Sequence, residues 1–212
     1  MKRILVIERE YGAGGSVIAE KAARRLGWKL LDQELTAEIA RLAKVRPDIC
    51  KRREERMDPW VYRLAKVFWR GSHERTAYFD DTDILDADRL VCLTKQVVEQ
   101  AALAGYCVIV GRAAPYMLRD REDTFCVFLY ASREAKFQRV RKLVKNEAEA
   151  IDLVDTVDQE RAEFIKHYYK VQWPSRRLYH AMLNTAAGED ETVETILNLM
   201  GAANKEAGEQ KA

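Results

Sequence analysis

Histidine and cysteine are scarce in this chain, and neither is arranged as a metal or redox site. Among 212 residues there are 3 histidines and 4 cysteines, and the histidines share no metal-ligand spacing. Cys50, Cys92, Cys107 and Cys126 include no C-x-x-C pair, and the last two lie inside apolar runs. We therefore predict buried reduced thiols in preference to disulfides or a zinc site.

Long hydrophobic runs and an excess of one charge are also missing. No apolar stretch approaches the roughly 20 residues that a membrane-spanning helix needs. The stretch at 4–7 is too short for a secretion signal, since Glu8 follows it at once. The formal net charge is only +2, which argues against an electrostatic nucleic-acid binder. We expect a cytoplasmic protein with no membrane and no nucleic-acid partner.

What the chain does have is enough apolar sequence for one α/β domain. Its residues are 48% hydrophobic and 33% charged, as in globular proteins. Strand-like and helix-like segments alternate, which favours a parallel sheet covered by helices. The predicted strands cover residues 3–7, 28–31, 106–110, 125–130 and 179–184.

Capping residues and glycines predict where the helices begin and end. Gly27 ends a helix that follows the first strand, and Gly105 ends a helix that starts near Ala87. A long helix is predicted up to about Tyr169, and a flexible tail over 201–212. The predicted N-caps of the later helices are Asp32, Ser132, Asn146 and Asp190.

The segment over 45–88 is the least regular part of the chain. We predict that it forms an inserted helical lobe within a single domain over 1–200. Trp60, Phe68 and Trp69 lie in this segment. They would suit a small-molecule pocket, but such aromatics more often form core or a subunit interface. A homo-oligomer therefore stays open as an alternative to a monomer.

A glycine-rich turn between a strand and a helix is the feature most typical of a ligand site. The turn is Gly12-Ala13-Gly14-Gly15-Ser16. Glycines let backbone N–H groups close around an anion, and the helix N-terminus behind them adds a partial positive charge. By itself the turn fits equally a phosphate-binding loop and a tight connection that binds nothing.

The turn departs from the usual nucleotide-binding consensus G-x-x-x-x-G-K-[ST]. In that register Arg9 holds the first glycine position, Gly14 the second, Gly15 the lysine position and Ser16 the hydroxyl position. The missing lysine normally neutralises charge on the β- and γ-phosphates, so a kinase needs another cation here. The glycines do not match G-x-G-x-x-G either, which makes a dinucleotide-dependent oxidoreductase the weaker alternative.

Arginines near the predicted strand ends are candidates for that cation. Ligands bind outside the carboxyl ends of parallel strands, where Arg112 and Asp32 are placed. A guanidinium can hold a phosphate with two hydrogen bonds; a salt bridge would also explain Arg112, and a helix N-cap would explain Asp32. Arg139 and Arg161, on two later helices, are either cations for a transferring phosphoryl group or ordinary solvated charges.

Three segments together resemble the cytidylate kinase-like family, a divergent branch of the P-loop nucleoside monophosphate kinases. They are EREYGAGG at 8–15, VIVGR at 108–112 and VFLYAS at 127–132. Asp158-Gln159-Glu160-Arg161, Tyr168-Tyr169, and Tyr179 with Leu183-Asn184-Thr185 are similar to later motifs of the family. The resemblance extends from residue 3 to residue 200.

The resemblance implies a fold and an activity. The fold would be a three-layer P-loop NTPase type, with a five-stranded parallel sheet in the order 2-3-1-4-5. The segment 45–88 would be the nucleoside-monophosphate lobe and 132–170 the lid region. The activity would be phosphoryl transfer from ATP, with Mg²⁺, to CMP, dCMP or a related nucleotide.

The same likeness implies roles for individual residues. The donor phosphates would be held by Gly12, Ala13, Gly14, Gly15 and Ser16. The Ser16 hydroxyl would also meet Mg²⁺, and Asp32 would lie near the acceptor. Arg112 would hold the acceptor phosphate. Arg139 and Arg161 would be lid arginines acting on the transferring group.

The chain departs from well-characterised cytidylate kinases at three places. Gly15 replaces the Walker lysine, and Ala113 stands where an aspartate follows the G-R pair. The acceptor motif D-[ST]-G-x-x-Y-R is reduced to Asp32-Gln33-Glu34-Leu35. Two alternatives follow. One is a non-catalytic nucleotide- or anion-binding sensor, and the other is a kinase for another small-molecule acceptor.

Overall fold

The computed structural model describes residues 1–32 and 87–209, with side chains over 1–32 and 91–201. The lobe predicted over 45–88 lies outside these ranges, apart from a helical start at Ala87. Trp60, Phe68 and Trp69 also lie outside them.

In the described part of the chain, five strands form one parallel sheet. They are β1 (Ile4–Arg9), β2 (Lys29–Leu31), β3 (Cys107–Val110), β4 (Thr124–Tyr130) and β5 (Ala181–Asn184). Their order is β2-β3-β1-β4-β5, and every neighbouring pair is parallel. In the central strand, Ile4 pairs with Cys107 on one side and Thr124 on the other. The predicted α/β class and strand order are confirmed.

Helices cover both faces of the sheet. They are α1 (Gly15–Leu26), α2 (Ala87–Ala104), α3 (Ala114–Met117), α4 (Arg133–Val140), α5 (Glu147–Tyr169) and α6 (Glu189–Glu209). Because side chains alternate along a strand, Ile4 and Val6 pack with α2 and α5. Leu5 and Ile7 pack with α1 and α6. None of the described helices is long and apolar enough to cross a membrane.

Local capping predictions hold for three helix ends. The Ser132 side chain accepts a hydrogen bond from the N–H of Ala135 at the start of α4. Asn146 does the same for the N–H of Glu149 at the start of α5. Helix α1 ends at Gly27, which takes the left-handed conformation that glycine adopts without strain.

The last helix is longer at both ends than predicted. Asp190 is not its cap, since α6 starts at Glu189 and Asp190 lies in its first turn. There its negative charge is stabilised by the partial positive charge of the helix N-terminus. The helix also continues to Glu209, over most of the segment predicted as a tail. Alanine, lysine and glutamate there are good helix formers.

The cysteine prediction is right for two residues and wrong for a third. Cys107 and Cys126 are free and buried, and burial raises their pKa values to about 11 and about 12. Both thiols therefore stay protonated at neutral pH. Cys92 is instead disulfide-bonded. Spacing along the chain does not reveal which thiols meet in three dimensions.

Two isoleucines on α5 give a matched test of this packing. Ile165 is 1% exposed in the core between α2, α5 and the sheet, whereas Ile151 on the same helix is 41% exposed. We expect Ile165→Ala to lower the free energy of unfolding by about 2–5 kcal/mol, because it leaves a cavity. Ile151→Ala should change it by less than about 1 kcal/mol. Denaturant unfolding of both variants checks this, and similar losses would contradict the assigned face.

Candidate functional site

The glycine-rich loop connects β1 to α1 at the carboxyl edge of the sheet. Gly12 and Gly14 have φ angles of +75° and +78°, a left-handed conformation that favours glycine. Gly14 is the N-cap residue of α1 and has no side chain that could accept a hydrogen bond from the helix. The first N–H groups of the helix therefore face the turn as donors for an anion.

Helix α4 lies directly against this loop. A Cβ added at Gly12 would be 2.9 Å from Cγ2 of Val140 and 3.1 Å from the carbonyl oxygen of Lys136. One Nη of Arg139 donates to the Gly12 carbonyl at 3.3 Å and to the Thr185 hydroxyl at 3.2 Å. Arg139 thus joins the loop to the turn that follows β5.

Three buried arginines cluster at the ends of β1 and β3 and on α5. Arg9, Arg112 and Arg161 are 8%, 5% and 7% exposed, although arginine is rarely buried unless it is paired. Burial first, and then the neighbouring Arg9 charge, lowers the pKa of Arg112 to about 10. The pKa of Arg9 is lowered first by burial and then by Arg161. The three guanidinium charges are therefore close enough to repel one another.

Carboxylates offset this concentration of positive charge. Glu8 accepts the backbone N–H of Arg9 at 3.1 Å, and its Oε1 is 3.5 Å from a guanidinium nitrogen of Arg9. The negative charges of Asp32 and Glu8 raise the pKa values of both Arg9 and Arg112. Asp158 raises the pKa of Arg9 as well. Asp32, predicted to lie near an acceptor, is thus buried next to the arginine cluster.

A strained turn positions Arg112 in this cluster. Gly111, Arg112 and Ala113 have φ angles of +63°, +57° and +54°. For residues other than glycine this conformation costs about 1–2 kcal/mol each. Backbone strain of this kind is concentrated at functional sites, where the surrounding structure holds it.

Asp158 ties the two covering helices to the loop. Its Oδ1 accepts the backbone N–H of Tyr11 at 2.8 Å and a guanidinium N–H of Arg161 at 2.9 Å. Its Oδ2 is 3.2 Å from Nζ of Lys136, which also pairs with Glu10 at 3.2 Å. Neither Lys136 nor Asp158 was among the site residues expected from the sequence.

Arg161 is held from two further directions. It donates to the carbonyl oxygen of Arg9 at 2.7 Å, and its guanidinium carbon lies 5.3 Å from the ring centre of Trp173. A guanidinium has five N–H donors, so these contacts and the bond to Asp158 leave capacity for a ligand. Arg161 therefore reaches the loop from α5, while Arg139 reaches it from α4.

The structure places the predicted site residues at the carboxyl edge of the sheet. It also places Arg9 there, which the sequence analysis did not assign to the site. The loop and Arg139 are in contact, and Arg112, Arg161 and Asp32 surround Arg9. Arg9 was treated only as a departure from the consensus. The signal was an arginine where a glycine is expected, directly before the loop.

A comparison with protein families finds one match across most of the chain. The model of the cytidylate kinase-like family matches residues 4–187. Among curated proteins, none matches the chain in sequence.

Solved structures with the same fold include several kinases. A protein of uncharacterized function from Eubacterium ventriosum is 20% identical with a TM-score of 0.64, covering 95% of this chain and 99% of its own. Shikimate kinase from Bacteroides thetaiotaomicron is 17% identical with a TM-score of 0.53, covering 93% and 98%. A gluconokinase from Sinorhizobium meliloti is 14% identical with a TM-score of 0.51, covering 100% of both. At these identities the likeness establishes the fold alone.

Two aspartates on α5 test whether Asp158 holds the site together. We expect Asp158→Asn to lower the free energy of unfolding by about 1–3 kcal/mol, because three donors lose a charged acceptor. Asp155→Asn is the matched control, since Asp155 pairs with Arg133 on the exposed side and exposed pairs contribute little. Urea unfolding of both variants gives the comparison. Equal losses would show that Asp158 has no special role.

Proposed function

The chain belongs to the cytidylate kinase-like family, and we propose that it transfers a phosphoryl group from ATP to a nucleoside monophosphate, with CMP and dCMP as the first candidates. The buried arginine cluster beside the glycine-rich loop is the observation that supports this most strongly. Phosphoryl transfer needs positioning and positive charge on the transferring oxygens. It does not need a nucleophilic side chain from the protein.

The proposed roles follow from position around the loop. The turn from Gly12 to Ser16 would hold the donor phosphates at the start of α1, as helix N-termini do for anions. Arg112, at the strained end of β3, would hold the acceptor phosphate with Asp32 nearby. Arg139 and Arg161, from the proposed lid over 132–170, would stabilise charge on the transferring group.

Magnesium would enter with the nucleotide. Among the residues with described side chains, no group of three or more His, Cys, Asp and Glu could hold a metal ion. Mg²⁺ bound with a nucleotide uses one or two protein ligands, phosphate oxygens and water. The Ser16 hydroxyl, in the first turn of α1, fits that limited role. The ion would neutralise charge on the bridging phosphate oxygens.

A nucleotide-binding sensor without catalysis is the second candidate. Gly15 and Ala113 replace two side chains that act in well-characterised cytidylate kinases. Glu8, Asp32 and Asp158 also offset part of the positive charge of the arginine cluster. The carboxylates therefore stabilise the cluster even if the site catalyses no reaction. A kinase for another small-molecule acceptor is a variant of the main proposal, because the acceptor segment after Asp32 departs from the cytidylate kinase motif.

An ADP-release assay separates these proposals. With ATP and Mg²⁺ present, CMP, dCMP, UMP, AMP and GMP are supplied in turn. Release that depends on CMP or dCMP supports a cytidylate kinase. ATP binding with no release for any nucleotide contradicts it and favours the sensor or an acceptor of another class.

Arg112 gives the sharpest site test in that assay. We expect Arg112→Ala to lower kcat/KM for the active acceptor by about 10²- to 10³-fold, as for the loss of one group that stabilises developing charge. Arg119→Ala is the matched control, because Arg119 is exposed and pairs only with its neighbour Asp120 among the contacts described. Unchanged kinetics in Arg112→Ala, with the fold intact, would remove Arg112 from the site.

A further inference from the structure

The loop lacks its lysine, and we propose that Arg9 supplies the missing cation. Its guanidinium would bind the β- and γ-phosphates of the donor from the end of β1, in place of a lysine at the start of α1. This inference rests on the proposed function, since it concerns the donor phosphates of that reaction. It deepens that proposal by assigning a role to Arg9, for which the resemblance implies none.

The first argument is steric. A Cβ added at Gly15 would lie 2.7 Å from Cγ, 3.1 Å from Cβ and 3.3 Å from Cδ of Arg9. Gly15 is the first residue of α1 and its φ is not left-handed, so its backbone would accept a side chain. The stem of Arg9 is therefore what requires glycine at the lysine position.

The second argument is where the guanidinium lies. The side chain of Arg9 runs past the start of α1 towards the end of β3, where any side chain at Gly111 would collide with its Nη1. Two glycines thus border Arg9, one on each side. The stem lies against the first residue of α1 and the guanidinium lies against Gly111, next to Arg112 in the chain, at the edge where donor and acceptor phosphates would meet.

The third argument is charge. Arg9 is buried with Arg112 and Arg161. The Arg161 charge lowers the pKa of Arg9, and the charges of Arg9 and Arg161 both lower the pKa of Arg112. An arriving polyphosphate relieves that repulsion, and arginine holds phosphate through paired N–H groups.

Positions 9 and 15 can be exchanged to test the idea. Arg9→Gly with Gly15→Lys turns residues 9–16 into GEYGAGKS, which satisfies the consensus G-x-x-x-x-G-K-[ST]. Arg9→Gly with Gly15→Met has the same backbone and a side chain of similar length without charge. These two double variants differ only in the cation. Arg24→Gln, an exposed arginine paired with Glu20 on α1, controls for the loss of a positive charge elsewhere.

The measurement is the Kd for ATP by titration calorimetry, with thermal unfolding of each variant alongside. We expect Arg9→Gln to weaken ATP binding by about tenfold to a hundredfold, as for a lost hydrogen bond to a charged group. The Gly15→Lys double variant should recover most of that loss, and the Gly15→Met double variant should not. Gly15→Lys alone should unfold at a lower temperature, because Arg9 still fills the space.

The outcomes separate this inference from the function on which it rests. ATP binding by the unmodified protein, unchanged in Arg9→Gln, overturns the role of Arg9 and leaves the phosphotransferase intact. ATP affinity of the Gly15→Met double variant equal to that of the unmodified protein also overturns it, because that variant has no cation at either position, and this comparison decides the matter if Arg9→Gln fails to fold. Failure of the unmodified protein to bind ATP overturns both proposals together.

Discussion

The burial of arginine side chains at one edge of the sheet is the constraint on which the rest of the site depends. Removing a guanidinium from water is costly unless opposite charge and hydrogen bonds replace the lost hydration. Glu8, Asp32 and Asp158 offset part of that cost for the buried arginines. The arrangement keeps positive charge in a low-dielectric place, where it would act strongly on an anion.

The parallel sheet explains how residues so distant in sequence meet. Carboxyl ends of parallel strands share one edge, so the residues after β1, β2 and β3 are neighbours in space. Helices α4 and α5 then cover that edge, and Asp158 connects them to the loop through Tyr11 and Lys136. The glycines follow from this crowding, because α4 closes on Gly12 and the stem of Arg9 closes on Gly15.

Most of the strands and helices could be predicted because their signals are local. Strand order followed from the family resemblance, and the caps Ser132 and Asn146 formed the bonds expected of them. The predictions fail where local signals in the sequence conflict or are missing. Asp190 sits within a helix that begins one residue earlier, the short helix after Ala113 has no periodicity to reveal it, and the disulfide of Cys92 depends on spatial proximity alone.

The sequence by itself determined the alternation of strands and helices, the glycine-rich turn and the absence of a lysine from it. Those features depend on neighbours within a few residues, where hydrophobic period and backbone freedom decide the conformation. Only the tertiary structure decided that Arg9 lies against Gly15 and Gly111, and that Asp158 joins Tyr11 and Lys136 from two other parts of the chain. Such contacts depend on how the chain folds back on itself, and no local preference of a single segment encodes them.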